Sequence, residues 1–99
     1  MQIETIGKKL RELREKQNLF LRQVAASLDM DTALLSKIER DERIPNKDQV
    51  IAFARFYKVN ADDLLVEWLS DKLVSEVKDE KIALKAVQKA ERKLFLKTK

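Results

Sequence analysis

The chain has 99 residues, 44% of them apolar and 38% charged, so it can form one folded domain with an ordinary core. It contains neither Cys nor His, which excludes disulfides, ordinary zinc sites and a His-activated nucleophile. Since its single Gly cannot make a glycine-rich phosphate loop, we predict no enzyme activity, cofactor, metal or small-molecule ligand. No apolar run reaches membrane-spanning length and no signal-peptide core is present, which predicts a cytoplasmic protein with no membrane partner.

The net charge of +4 is unevenly distributed along the chain. Residues 1–69 carry twelve basic and twelve acidic side chains, whereas residues 70–99 carry nine and five. The net charge is therefore weak evidence that the first part binds nucleic acid. We divide the chain into a domain over 1–69 and a basic amphipathic extension over 70–99.

The chain has one Gly, one Pro and no alternating strand pattern, which predicts an all-α fold of five helices followed by a helical extension. The first three helices are predicted over about 4–16, 21–28 and 32–40. Pro45 ends the loop that follows, and Asn46 with Gln49 has the pattern of a capping box at the start of the fourth helix. The fifth helix is predicted over about 61–69, capped by Asn60. The polar stretch 78–81 separates this helix and its extension from a last helix over about 79–96.

Residues 21–40, LRQVAASLDMDTALLSKIER, do not have the apolar pattern of one continuous helix. Asp29-Met30-Asp31 separates two apolar i,i+4 pairs with residues that favour turns and caps. The pairs are Val24–Leu28 and Leu34–Ile38. Ala25 supplies the small residue needed where two short helices cross. This spacing is typical of a helix-turn-helix, whose second helix enters the DNA major groove.

The side chains of the first turns of that second helix are the candidates for base readout. With Asp31 as its N-cap, Leu35 and Ile38 face the core. The opposite face carries Thr32, Ala33, Ser36 and Lys37. Lysine can donate to guanine, and the methyl groups of Thr and Ala can touch that of thymine. The alternative is that this face is an ordinary polar helix surface.

Residues 6–65 resemble the Cro/repressor-type (XRE-like) helix-turn-helix family. The resemblance rests on IGKKLRELREKQNL, the twenty-residue window, IERDERIP and a helix ending in YKVNADDLL, all at the family's spacing. It implies a compact five-helix domain that binds a pseudo-palindromic operator in double-stranded DNA as a homodimer. It also implies a structural pair between Arg14 and Glu39, which would hold the recognition helix to the first helix.

The chain departs from the family pattern at two places in the window. Asp29 stands where Gly is common, and Asp tolerates the left-handed conformation better than most residues. Leu21 stands where relatives often have a phosphate-binding Gln, and Phe20 where they often have a Ser or Thr cap. Arg22 could supply a phosphate contact instead. The resemblance implies further phosphate contacts from Arg40 and Arg43, which Lys47 at the start of the fourth helix could join. The alternative is a solvated run of charges.

In the extension, Ala83, Val87, Ala90 and Leu94 form an apolar stripe beside a row of lysines. Such a helix could pack on its own domain, pair with a second subunit, or lie on acidic lipid or DNA. We predict a homodimer, because one reading helix covers too few base pairs to select a site in a genome, and an interface on helix 5 and the extension, which would otherwise expose a large apolar surface. The predicted interface consists of Leu69, Leu73, Val77, Val87 and Leu94.

Two functions fit this sequence. The first is a sequence-specific dimeric transcription regulator, of the phage-repressor, restriction-modification controller or antitoxin type. The second is a protein-interaction module in which the helix-turn-helix is only a scaffold and the last helix docks a partner. Lys37, Arg40 and Arg43 discriminate between them, because they should be indispensable for the first function and neutral for the second.

Overall fold

The computed structural model describes residues 3–98, which form six α-helices and no strand. The helices are α1 (Ile6–Lys16), α2 (Leu21–Ser27), α3 (Thr32–Glu39), α4 (Lys47–Tyr57), α5 (Ala61–Val77) and α6 (Ala83–Lys97). The predicted all-α fold is confirmed. None of the helices in this part of the chain has both the length and the apolar character needed to span a membrane.

Local side-chain caps begin four of the helices. Asp31, Asn46 and Asn60 accept hydrogen bonds from backbone N–H groups two or three residues later, at 2.7–3.2 Å. These three caps were predicted from the sequence, and each satisfies a donor that the helix itself leaves free. The prediction that helix 1 starts at Glu4 is wrong. Thr5 is extended and caps α1 through Oγ1, which accepts from the Lys8 N–H at 3.1 Å.

Four of the helices end on a residue other than glycine in the left-handed conformation. Asn18, Asp29, Asp41 and Lys58 have φ angles of 51–62°. In each case the N–H of the following residue bonds a carbonyl five residues earlier, as Met30 does to Ala25 at 2.8 Å. This 6→1 bond is that of the Schellman motif, which satisfies carbonyls at the helix end. Asp29 therefore makes the tight turn between α2 and α3 that the sequence predicted.

The core is formed by side chains of α1 to α4 and of the first half of α5. The fully buried large side chains are Phe53, Leu10, Leu35, Ile38, Leu64, Val24 and Val50. At its edge the Trp68 Nε1 donates to the carbonyl of Pro45 at 2.6 Å. This bond ties α5 to the loop that follows α3. α3 itself packs against α1 and α2.

Two predicted boundaries in the last third are wrong. Helix 5 was predicted over about 61–69 with a separate extension, but the two form one helix that continues to Val77, so residue 69 lies inside α5. Residues 70–77 contain no Gly, Pro or cap that would stop it, and the Asp71 Oδ2 accepts from the Ile6 N–H at 2.8 Å. The last helix begins at Ala83 and not near Asp79, because turns occupy most of residues 78–82.

Tyr57 gives a testable consequence of this packing. It is 3% exposed, and its hydroxyl has no hydrogen-bond partner within residues 3–98. Burial raises the pKa of Tyr57 above its usual range, and the negative charge of Glu39 raises it further. A raised folded-state pKa leaves stability unchanged below the pKa of the unfolded chain, near 10, and lowers it as the pH rises above that value.

We therefore expect the ultraviolet absorbance of this single tyrosine to report ionisation only where the chain unfolds. Tyr57→Phe should melt at or above the temperature of the parent, because it removes an unsatisfied buried group and keeps the ring. Its stability should also fall less at alkaline pH. The urea-unfolded chain gives the reference titration of an exposed tyrosine. Ionisation of Tyr57 near pH 10 while the chain is still folded would contradict its burial.

Candidate nucleic-acid interface

One side of α3 is firmly attached to the rest of the domain. Leu35 and Ile38 are at most 1% exposed, and both belong to the core. Glu39, in the last turn, is also buried at 5% exposure although it is charged. A carboxylate can be buried in this way only when a positive partner and hydrogen bonds compensate it.

Arg14 of α1 is that partner. Its Nε lies 2.9 Å from Glu39 Oε2 and its Nη2 lies 2.9 Å from Oε1, so the two groups meet through two parallel bonds. Arg14 Nη1 also donates to the carbonyl of Leu19 at 2.8 Å. The hydrogen bond to Glu39 is the main cause of the raised pKa of Arg14. This pair joins the end of α3 to the end of α1 and to the segment before α2.

Gly7 allows α1 and the end of α3 to approach closely. A Cβ atom placed on Gly7 would overlap the backbone carbonyl of Ile38 and a carboxylate oxygen of Asp41. Thr5 Oγ1 donates to the other oxygen of Asp41, Oδ2, at 2.8 Å. The start of α1 is therefore held between Asp41, just after α3, and Asp71 of α5. Burial raises the pKa of Asp71, partly offset by its bond from Ile6.

The opposite side of α3 faces solvent. Thr32, Ala33 and Lys37 are exposed and Ser36 is half-buried. Within residues 3–98, none of these four side chains makes a hydrogen bond or an ion pair. α3 therefore presents three small side chains and one lysine on a helix whose other side is buried in the domain. This geometry suits insertion into a groove, since a reading helix has to be rigid and its side chains free.

Residues 5–68, about two thirds of the chain, match the helix-turn-helix domain family. This chain belongs to the Cro/repressor-type (XRE-like) helix-turn-helix family. It is also 34% identical, over 61 residues, to the HTH-type transcriptional regulator ImmR of Bacillus subtilis (strain 168). The match covers 62% of this chain and 48% of that protein, so the chain spans about half the length of the curated relative it matches.

This helix-turn-helix chain begins α2 without a polar cap. Phe20 offers no side-chain acceptor, and its backbone N–H instead donates to Gln23 Oε1 at 2.7 Å. Arg22 is exposed, and its guanidinium carbon lies 4.6 Å from the centre of the Phe20 ring. The exposed aromatic ring thus contacts the cation at the start of α2, where the sequence predicted a substitute phosphate contact.

The other predicted phosphate-binding cations lie at different places around α3. Arg40 pairs with Glu42 at 3.0 Å and donates to the carbonyl of Ser36, so it stays close to the helix end. Lys47 is exposed at the first position of α4. Arg43 lines a groove of about 400 Å³ between residues 3–6, the loop after α3 and the second half of α5.

The sequence analysis did not identify the residues that hold the start of α1 against the end of α3 and against α5. Gly7, Thr5, Asp41 and Asp71 were given no role, although a lone Gly within a helical pattern is a known signal of close packing. The bond from Ile6 to Asp71 spans 65 positions, and no local pattern could reveal it. The predicted dimer residues lie on α5 and α6, and Leu69, Leu73, Val87 and Leu94 are exposed in the single chain.

Proposed function

We propose that this chain is a sequence-specific DNA-binding transcription regulator that inserts α3 into the major groove. The observation that supports it best is the contrast between the two sides of α3. One side is buried and joined to α1 through Glu39, and the other carries exposed side chains without partners in residues 3–98. The name of the Bacillus relative, a transcriptional regulator, agrees with this function.

The roles we propose follow from the chemistry of the exposed groups. Lys37 donates to guanine O6 or N7, Thr32 and Ala33 contact thymine methyl groups, and Ser36 bonds a base edge. Phosphates are bound by the cations around α3, which fix the register without reading sequence. Those cations are Arg22, Arg40, Arg43 and Lys47.

We further propose that the regulator acts as a homodimer on a pseudo-palindromic operator. One helix reads only a few base pairs, which is too little to select a site in a genome. Two copies would place their α3 helices in successive major grooves, roughly 34 Å apart. In this proposal residues 1–69 bind DNA, and residues 70–99 contribute to the dimer.

A comparison of two alanine variants tests the proposed base readout. Duplexes selected by the full chain from a random pool give the preferred site, and a scrambled duplex serves as reference. Lys37→Ala should weaken binding to the preferred site by about 1–3 kcal/mol and should weaken binding to the scrambled duplex less. Arg43→Ala should weaken binding to both duplexes about equally and should make the affinity depend less steeply on salt concentration. Lys81→Ala, in the turn before α6, removes the same charge and should keep the preference.

Fluorescence anisotropy over a salt series measures all of these affinities. Equal losses on both duplexes for Lys37→Ala would move that lysine to the phosphate contacts. If no sequence is enriched from the random pool, the helix-turn-helix is only a scaffold. The function would then be that of a protein-interaction module, for which α6, none of whose residues is buried, would be available.

A further inference from the structure

One side of α6 carries basic side chains and no acidic one. Lys85, Lys89 and Lys93 follow one another at every fourth residue, and Arg92 lies beside them, so all four project from the same side of the helix. The four side chains are exposed, and together they line one groove along the helix. We call these four residues the basic face.

No acidic group in the described range 3–98 pairs with the basic face, because none of its members makes an ion pair there. Glu91 is the single acidic residue of α6. It has no basic neighbour along the helix, since the residues three and four positions away are Val87, Gln88, Leu94 and Phe95. Lysines four residues apart repel one another and destabilise an isolated helix, so an anion that spans them would stabilise α6.

The net charge of the chain is concentrated on this helix. α6 contains five basic residues and one acidic residue, so its net charge of +4 equals that of the whole chain. Residues 1–69, which include α3, are neutral overall. Affinity for DNA that does not depend on sequence comes from cations that neutralise phosphates. α6 is therefore the part of the chain whose charge favours binding to a polyanion.

Duplex DNA offers a matching row of negative charges. The basic face extends from Lys85 to Lys93, which is about 12 Å along the helix axis at 1.5 Å per residue. A duplex of that length carries about seven phosphates. Each of the four cations can therefore reach a different phosphate.

An acidic lipid surface suits α6 less well than DNA does. A helix that lies on a membrane buries its apolar side below the lipid headgroups. On α6 that side contains Glu91, three or four residues from Val87, Leu94 and Phe95. Its carboxylate would have to leave water, which is costly for an unpaired charge. A duplex that contacts the basic face leaves Glu91 in water.

We propose that the basic face of α6 binds the phosphate backbone of double-stranded DNA without reading its sequence. The choice of DNA as the polyanion rests on the proposed function, because α3 brings the chain to a duplex. The contact adds affinity and leaves the base preference to α3. It is compatible with the predicted dimer interface, because Val87 and Leu94 lie on the other side of α6.

A salt series on the scrambled duplex tests this contact in the full chain. The basic-face variant combines Lys85→Gln, Lys89→Gln, Arg92→Gln and Lys93→Gln, since glutamine is neutral and a good helix former. Each phosphate contact contributes about 0.9 to the slope of log affinity against log salt concentration. The slope should therefore be shallower by roughly 3 to 4. Between about 50 and 200 mM salt the variant should lose about 100-fold less affinity than the parent does.

The preferred duplex and two control variants make this test specific. The basic-face variant should weaken binding to the preferred and scrambled duplexes by the same factor, because phosphate contacts do not read bases. Replacing Lys85, Lys89 and Lys93 by Arg keeps the charge and should keep the slope of the parent. Circular dichroism checks that each variant retains its helices. A charge-matched variant should also keep the slope of the parent, and it replaces four exposed cations outside α6 by Gln, namely Lys16, Arg55, Lys58 and Lys78.

Three results would overturn the DNA contact. If the basic-face variant has the slope of the parent, these cations form only a solvated surface. If the charge-matched variant becomes equally shallow, affinity follows net charge and not α6. If vesicles of phosphatidylglycerol and phosphatidylcholine bind the parent but not the basic-face variant, while both have the same slope on DNA, the partner is an acidic lipid surface. The proposed function is judged separately, because it fails if no sequence is enriched from the random pool, whatever the slope of the basic-face variant.

Discussion

Glu39→Ala should lower the free energy of unfolding by about 3–5 kcal/mol. The substitution leaves the Arg14 guanidinium in a largely buried place without its carboxylate, 14% of that side chain being exposed. Breaking a buried pair from one side costs more than the pair contributes, because the remaining charge is uncompensated. For a domain of this size the melting temperature should fall by roughly 12 °C or more.

A second ion pair in the chain provides the matched control. Arg11 and Glu15 lie 3.5 Å apart on α1, and both side chains are more than half exposed. Glu15→Ala removes the same kind of charge and should change stability by at most about 1 kcal/mol. Arg14→Met combined with Glu39→Met should recover much of the loss, since no buried charge remains. If Glu39→Ala has the same melting temperature as the parent, the Arg14–Glu39 pair does not hold α3 to α1.

Gly7→Ala should destabilise the protein by about 1–3 kcal/mol, through overpacking. In an unobstructed helix the same change would stabilise by about 0.5–1 kcal/mol, because alanine is the better helix former. Here the new methyl group would meet the carbonyl of Ile38, which is backbone and belongs to the last turn of α3. Either α1 or the end of α3 must shift, so DNA affinity should fall even at temperatures where the variant is folded.

Two variants make this test specific. Glu12→Ala introduces the same residue type on the exposed face of α1 by truncating a side chain, and should leave melting and DNA binding nearly unchanged. Asp41→Gly in the Gly7→Ala background removes one of the two obstructing groups and suits the left-handed φ of 62°. This second substitution should therefore recover part of the stability that Gly7→Ala removes. A Gly7→Ala protein that melts above the parent would show that α1 and α3 do not pack this closely.

The sequence by itself determined the features that depend on neighbouring residues. The caps at Asp31, Asn46 and Asn60 are bonds over two or three positions, so the pattern of residue types specifies them. The same holds for the left-handed turn at Asp29, whose bonds span four or five positions at most. The apolar periodicity of α3 correctly separated its buried side from its exposed side. These features suffice to predict a helix-turn-helix.

The tertiary structure decided what depends on residues far apart in the chain. Whether the second half of α5 is joined to the start of α1 depends on the bond between Asp71 and Ile6, across 65 positions. Whether Gly7 matters depends on how closely the end of α3 approaches α1. Neither has a local signature, because the energy of a close contact or of a buried carboxylate depends on the distance between helices, which only packing sets. The sequence shows the apolar residues of α5 and α6, and only the fold shows that they remain uncovered.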